Sequence, residues 1–146
     1  LEGYKGFEDG IQNYAGAYAL SVAYEKLNEI GFGKIREHIS SLVKYAKNNI
    51  SKIKGLKIIG TGLEEGSIIS FTSNIPGFSH PDFSLFVSNY KNKKIAVRHG
   101  RVCADLACIN SQISSVIRIS FFIYNTRKDI DIFCKALEDY KSTIDS

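Results

Sequence analysis

The run SVIRISFFIYNT, residues 115–126, decides the architecture. From Ser115 to Tyr124 the residues alternate, with Ile117, Ile119, Phe121 and Ile123 on one face and Val116, Arg118, Ser120 and Phe122 on the other, the period of a strand. Asn125 and Thr126 then stop the strand and cap a helix reaching to about Ile144, with Ile130, Phe133, Leu137 and Tyr140 turned inward. A charge, Arg118, sits in the middle of a strongly β-forming segment.

Upstream, the pattern switches between the same two periods. Residues 1–12, LEGYKGFEDGIQ, hold three glycines and no period, and read as an extended lead-in. Asn13 to Ile30 is helical, with Ala15, Ala19, Val22, Ala23, Leu27 and Ile30 on one side and Gly31 as its stop. Tyr14, Tyr18 and Tyr24 widen the apolar surface, which predicts neighbours on more than one side. A second helix, Gly33 to about Ile53, places Ile35, Ile39, Leu42, Val43, Ala46, Ile50 and Ile53 inward. Two β-rich runs, 56–60 and 67–73, separated by a glycine-rich connection, read as adjacent antiparallel strands. Ser79 and Pro81 open a short helix over 81–90. KIAVR at 94–98 reads as a further strand, broken at Gly100. The sum is an α+β domain, helices packed on a small, mainly antiparallel sheet, with residues 13–146 forming one domain behind the lead-in.

The 146 residues suffice for one domain with a real core. With 44% apolar and 23% charged residues and two prolines, the chain is a folded globular sequence. A formal charge of +4, with lysines interleaved among acids, leaves no nucleic-acid footprint. No apolar run reaches the ~18 residues of a membrane span, so the default expectation is a soluble cytoplasmic protein, or an organellar one in a eukaryote. Three cysteines make no disulfide framework and point to reduced thiols. A chain without any methionine reads as a piece of something longer, or as a processed product.

Cys134 falls between Phe133 and Leu137 and reads as a small core residue. Cys103 and Cys108 have no further ligands to complete a zinc site, and their spacing is too wide for the usual redox pair. Cys103 follows a strand end, with Arg98, His99 and Arg101 within five residues; cationic neighbours raise a thiol's thiolate fraction. Spacing alone leaves Cys103 open between a nucleophile and a packed residue. Arg118 is either a solvent-facing strand arginine or, on a strand otherwise nearly all apolar, a rigidly held clamp for a carboxylate.

FEDGIQNYAGAYAL at 7–20, IAVRHGRVCA at 95–104 and IRISFFIYNT at 117–126, with the helix KIREHISSLVKYAKNNISKIKGLKIIG at 34–60 between the first two, resemble the carboxy-terminal third of the cysteine desulfurase and selenocysteine lyase family, within the class V aminotransferases. The resemblance spans essentially the whole chain. It implies the small carboxy-terminal domain of a fold-type I, pyridoxal phosphate-dependent enzyme that removes sulfur from cysteine, in the branch whose cysteine sits on a short loop. It implies that Cys103 accepts the sulfur as a persulfide, that Arg118 binds the substrate carboxylate, and that Arg98 and His99 stand at the mouth of the site. Gly10 and Ile11 then fall where the lead-in reaches the cofactor phosphate of a partner subunit. The parent enzyme would be a homodimer, acting on an amino acid, passing sulfur to an acceptor protein and serving iron-sulfur cluster assembly. Its lysine anchor and most cofactor ligands would lie in an amino-terminal domain, without which this piece is inactive.

The chain departs from the family pattern at three places. Ile11 stands for a threonine whose hydroxyl reaches the phosphate, CADLACIN at 103–110 lacks a proline common in relatives, and His99 replaces a small or hydroxyl residue. Two other readings keep the same fold: a class V aminotransferase or lyase that does not use Cys103, and a scaffold domain without catalysis.

Overall fold

The computed structural model of the chain describes residues 3–7, 10–60 and 66–144. It divides into two compact units, Leu1–Arg36 and Glu37–Ser146.

In the first unit the lead-in is not extended where it is described: Gly3–Gly6 form a 3-10 turn. Helix α1 covers Tyr14–Ile30. The Asn13 side chain accepts the Gly16 N–H at 2.9 Å, satisfying one of the free donors of the first turn. At the far end Gly31, with φ 94°, a conformation that glycine adopts without strain, donates its N–H to Leu27 O at 3.0 Å. No residue of α1 is buried. Tyr14, Tyr18 and Leu20 are each more than 70% exposed, so the described residues of the first unit do not supply the expected neighbours. A short turn and the start of the next helix, whose Phe32 ring lies 5.4 Å from that of Tyr24, offer too little surface to cover 17 residues.

Helix α2, Phe32–Ile50, runs from the first unit into the second. After it come β1 (Leu56–Ile59), β2 (Ile68–Ser73), α3 (His80–Ser88), β3 (Arg98–Gly100), α4 (Asp105–Asn110), β4 (Val116–Ser120) and α5 (Arg127–Ile144). The connection between β1 and β2 lies outside the described residues over 61–65. The four strands form one antiparallel sheet in the order β1-β2-β4-β3. This is the expected α+β architecture, with β4, the strand of the opening stretch, in the interior of the sheet.

Period-2 alternation gives the sheet two different faces. Ile69, Phe71, Ile117 and Ile119 lie on one, and all four are buried together with Leu42, Val43, Ala46 and Ile50 of α2, Phe83 and Val87 of α3, and Ile130, Phe133, Ala136 and Leu137 of α5. Burying one such Phe or Ile side chain contributes roughly 1.5–3 kcal/mol. Aromatic edges fill the remaining volume, with Phe83 at 6.0 Å from Phe133 and 5.3 Å from Tyr140.

Two strands differ from expectation. Residues 94–97 make no ladder; Ile95 and Val97 pack on the core, Ile95 also donating its N–H to Val87 O at 3.3 Å, and the strand is Arg98–Gly100, with Gly100 inside it opposite Val116. Alternating apolar residues look the same whether or not a neighbouring strand is in bonding reach, so the sequence pattern could not distinguish the two segments. β4 stops at Ser120, four residues before the predicted end, because the N–H of Phe122 turns to the Asn125 side chain at 2.8 Å instead of the sheet. Thr126 donates both its N–H (2.8 Å) and its hydroxyl (3.0 Å) to Asp129, which starts α5.

Candidate active site

The second face of the sheet carries the candidate residues. Arg98 of β3 lies directly opposite Arg118 of β4, and on the other side Arg118 faces Ser70 of β2. Partners in register share a face, so both guanidinium groups leave the sheet on the side away from the helices. Arg118 is half-buried and Arg98 exposed. Neither has a hydrogen bond or ion pair from its side chain among the described residues. Like charges directly opposite are unfavourable in a sheet. An anion between them turns that cost into a gain, and a carboxylate is the anion whose two oxygens match the fork of a guanidinium.

Three residues past the end of β3 comes Cys103. The Gly100 N–H donates to the Ser115 hydroxyl at 3.2 Å, and the Ala104 N–H reaches back to Arg101 O at 2.9 Å, closing a tight turn. Inside it Val102 (φ 53°) and Cys103 (φ 59°) are both left-handed. Two consecutive non-glycine residues there are uncommon, and a β-branched one is an outlier that the surroundings must hold in place. The Cys103 thiol is exposed. Arg101, one of the cations near this thiol in sequence, is engaged elsewhere, paired with Asp105 at 3.1 Å on an exposed surface. Beyond the cysteine the chain enters α4, a six-residue helix whose N-cap, Ala104, has no side chain to bond the first turn, which is why its start carries no sequence signal.

The other two thiols occupy different environments. Cys108 is buried, its S–H directed at Arg101 O at 3.8 Å. Cys134 packs against the core, and burial, helped by Asp131 and Glu138, pushes its thiol up to about 11.

His99 lies opposite Ile117, hence on the helix side of β3 and on the face opposite to the arginines. It bears on His80 at the start of α3, a residue whose helix-start position gives no functional signal in the sequence. Burial, and secondarily the proximity of His99, lowers the pKa of His80, and its Nε2 is buried without a partner among the described residues. Gly10 and Ile11 belong to the first unit; both are exposed, Ile11 to 93%. Ser115, which holds the Gly100 turn, also escapes sequence reasoning, since a serine at a strand start has no distinguishing spacing.

The sheet is thus covered by helices on one face and carries an arginine pair on the other, with a cysteine on the adjoining turn. The chain belongs to the aminotransferase class-V family, whose model matches residues 2–133. Within that family its similarity is to cysteine desulfurases. It is 32% identical over 140 residues to a probable cysteine desulfurase of Ureaplasma parvum serovar 3, covering 96% of this chain and 33% of the relative. It is 36% identical over 138 residues to a probable cysteine desulfurase of Streptomyces coelicolor, covering 93% of this chain and 32% of the relative. Among solved structures, the cysteine desulfurase CsdA of Escherichia coli, in an S-sulfonic acid form, superposes with a TM-score of 0.83 at 26% identity, over 94% of this chain and 33% of that one. The apo cysteine desulfurase of Thermococcus onnurineus NA1 gives 0.84 at 25% identity, over 98% and 35%. The chain thus spans about a third of the length of the relatives it matches. Among the described residues, no helix is long and apolar enough to cross a membrane.

Proposed function

We propose that this chain is the carboxy-terminal part of a pyridoxal phosphate-dependent cysteine desulfurase, in which Arg118 and Arg98 hold the substrate's α-carboxylate and Cys103 receives its sulfur. The observation that carries the reading is the register pair Arg98–Arg118, two cations on one open face with no acid between them among the described residues. The exposed Cys103 on a strained turn just past β3, and the similarity to cysteine desulfurases over nearly the whole chain, support it.

Pyridoxal phosphate is the cofactor this reading requires, and the residues here fit it at the substrate end only. Two guanidinium groups suit a carboxylate, whereas Ile11, fully apolar at its side chain, has no side-chain donor for a phosphate, so at positions 10 and 11 the lead-in offers that group only backbone N–H groups. When bound, the cofactor supplies an electron sink for the substrate's α-carbon. The lysine anchor and the remaining ligands are assigned to the part of the parent that precedes Leu1, and the exposed apolar residues of α1 are assigned a cover from the same part. The parent is read as a homodimer that hands sulfur to an acceptor protein.

In the reaction, Arg118 fixes the carboxylate on a rigid strand, which sets the direction of the substrate side chain toward Cys103. The deprotonated Cys103 Sγ attacks the substrate sulfur. A sulfur–sulfur bond forms, the carbon–sulfur bond breaks with its electron pair left on carbon, and a proton delivered to that carbon completes alanine. Cys103 is left as a persulfide, which a thiol acceptor attacks next. The test is Cys103→Ala in the full-length enzyme, with sulfide and alanine measured from cysteine, and mass spectrometry of the tryptic peptide containing Cys103. Loss of sulfide in the variant, and one extra sulfur on that peptide in wild type, are expected. Undiminished sulfide release by the variant would remove Cys103 from the mechanism and leave a class V enzyme of another kind.

A further inference from the structure

Edge strand β3 holds β4 over only three rungs, ending at Arg98 opposite Arg118. Continued outward, the register would set Ala96 opposite Ser120 on the same face as the arginines, but residues 94–97 have left the sheet. The Phe121 N–H bonds Ser67 O of the β2 side at 2.8 Å, which fixes the direction of the backbone groups along β4. In an antiparallel ladder neighbouring residues bond to opposite sides, so the N–H and C=O of Ser120 point into the gap. Neither is bonded among the described residues. Between the two walls lies a cleft of about 510 Å³, with Ile95 and Ala96 on one side and Ser120 and Phe121 on the other. That size is within the range of ligand pockets.

Two cations stand at this cleft. Lys93 and Lys94 line it, both are exposed, and neither ammonium has an ion pair or hydrogen bond among the described residues. The acid on the far wall, Asp129, is committed to the N–H and hydroxyl of Thr126. The cleft therefore combines an unpaired strand edge, an apolar floor and unanswered positive charge. A small carboxylate would meet the charge alone. A segment of extended chain meets all three, since its own N–H and C=O groups, spaced as in a strand, pair with Ser120 while alternate side chains reach the apolar floor.

We propose that the cleft between residues 94–97 and β4 takes an extended segment of a partner protein, with alternating apolar and acidic residues, added as a strand against Ser120. The proposal is independent of the persulfide reading, because no step of it uses Cys103.

The test measures fluorescence anisotropy of a labelled peptide of about six residues, alternating Val and Glu, on titration with the full-length protein. A Val–Lys twin and a Val–Glu peptide N-methylated at alternate residues serve as controls. Saturable binding of the Val–Glu peptide is expected, with little binding of either control. The double variant Lys93→Glu, Lys94→Glu is expected to weaken binding by about tenfold or more and to accept the Val–Lys twin instead; both lysines are exposed, and circular dichroism checks that the variant stays folded. Absence of saturable Val–Glu binding, equal binding of the twins by wild type, unimpaired binding of the methylated peptide, or full displacement by hexanoate at equal concentration would each overturn the proposal.

Discussion

The two faces of one sheet teach different lessons about the same strands. On the helix side, Phe71 and Ile117 are wholly inaccessible, packed within the apolar core. On the other side, one residue along each strand, Ser70, Arg118 and Arg98 share a row. Stability is concentrated on the first face and the proposed chemistry on the second, because dispersion and burial need close packing, whereas a carboxylate clamp would need an open approach. The division is not absolute. Val116 is on the second face and is nonetheless buried.

Substitutions on the two faces should therefore separate fold from function. The largest effect is expected from Phe83→Ala beneath the covered face: a fully buried ring packed against Phe78, Phe133 and Tyr140 is lost, costing about 3–5 kcal/mol, read as a shift of the urea midpoint. Arg118→Ala on the open face should leave the midpoint within about 0.5 kcal/mol of wild type. In the full-length enzyme it should lower kcat/KM by about 100-fold or more, the loss of two charge-assisted hydrogen bonds. An Arg118→Ala protein that turns over cysteine normally would break the comparison.

The helix side also contains a histidine with a perturbed pKa. The pKa of His80 is depressed by burial, so the folded state binds a proton less readily than the unfolded chain. Its contribution is present above the unfolded value of about 6.5 and lost as pH falls through it toward the folded value. Stability profiles from pH 8 to 5 should fall at the acid end, and His80→Gln should flatten part of that fall. The smallest effect concerns the turn. Val102→Gly relieves a left-handed valine at roughly 1–2 kcal/mol, offset by about 0.5–1 kcal/mol of added unfolded-state entropy. The melting temperature should hold or rise by about 2 °C, while the alkylation rate of Cys103 changes as the turn loosens. In wild type the exposed Cys103 should react with iodoacetamide well before the buried Cys108.

Much of the fold is legible in the sequence because it follows from period. The inward residues read for the second and last helices are, Ile35 apart, in the core or packed against it, and Ser79 caps its helix as its type suggests. Cys103 and Arg118 can be singled out as well, one by its position after a strand and one as a charge in an apolar strand. What escapes is set by partners distant in sequence. Whether 94–97 or 98–100 joins the sheet depends on where β4 lies, and no local pattern encodes that. The capless start of α4, the Arg101–Asp105 pair and the left-handed Val102 are equally invisible, because each is a local choice enforced by surroundings rather than by propensity.

By itself, the sequence determined the long helices, most of the strands, the apolar face of these elements and the chemical types available, since periodicity and residue chemistry are properties of the chain alone. Only the tertiary structure decided that Arg98 and Arg118 stand side by side, that His99 turns to the opposite face, and that Ser120 is left with an open edge. Register is the reason: in a strand a shift of one residue exchanges the two faces, and register is fixed by packing between segments that are far apart in sequence.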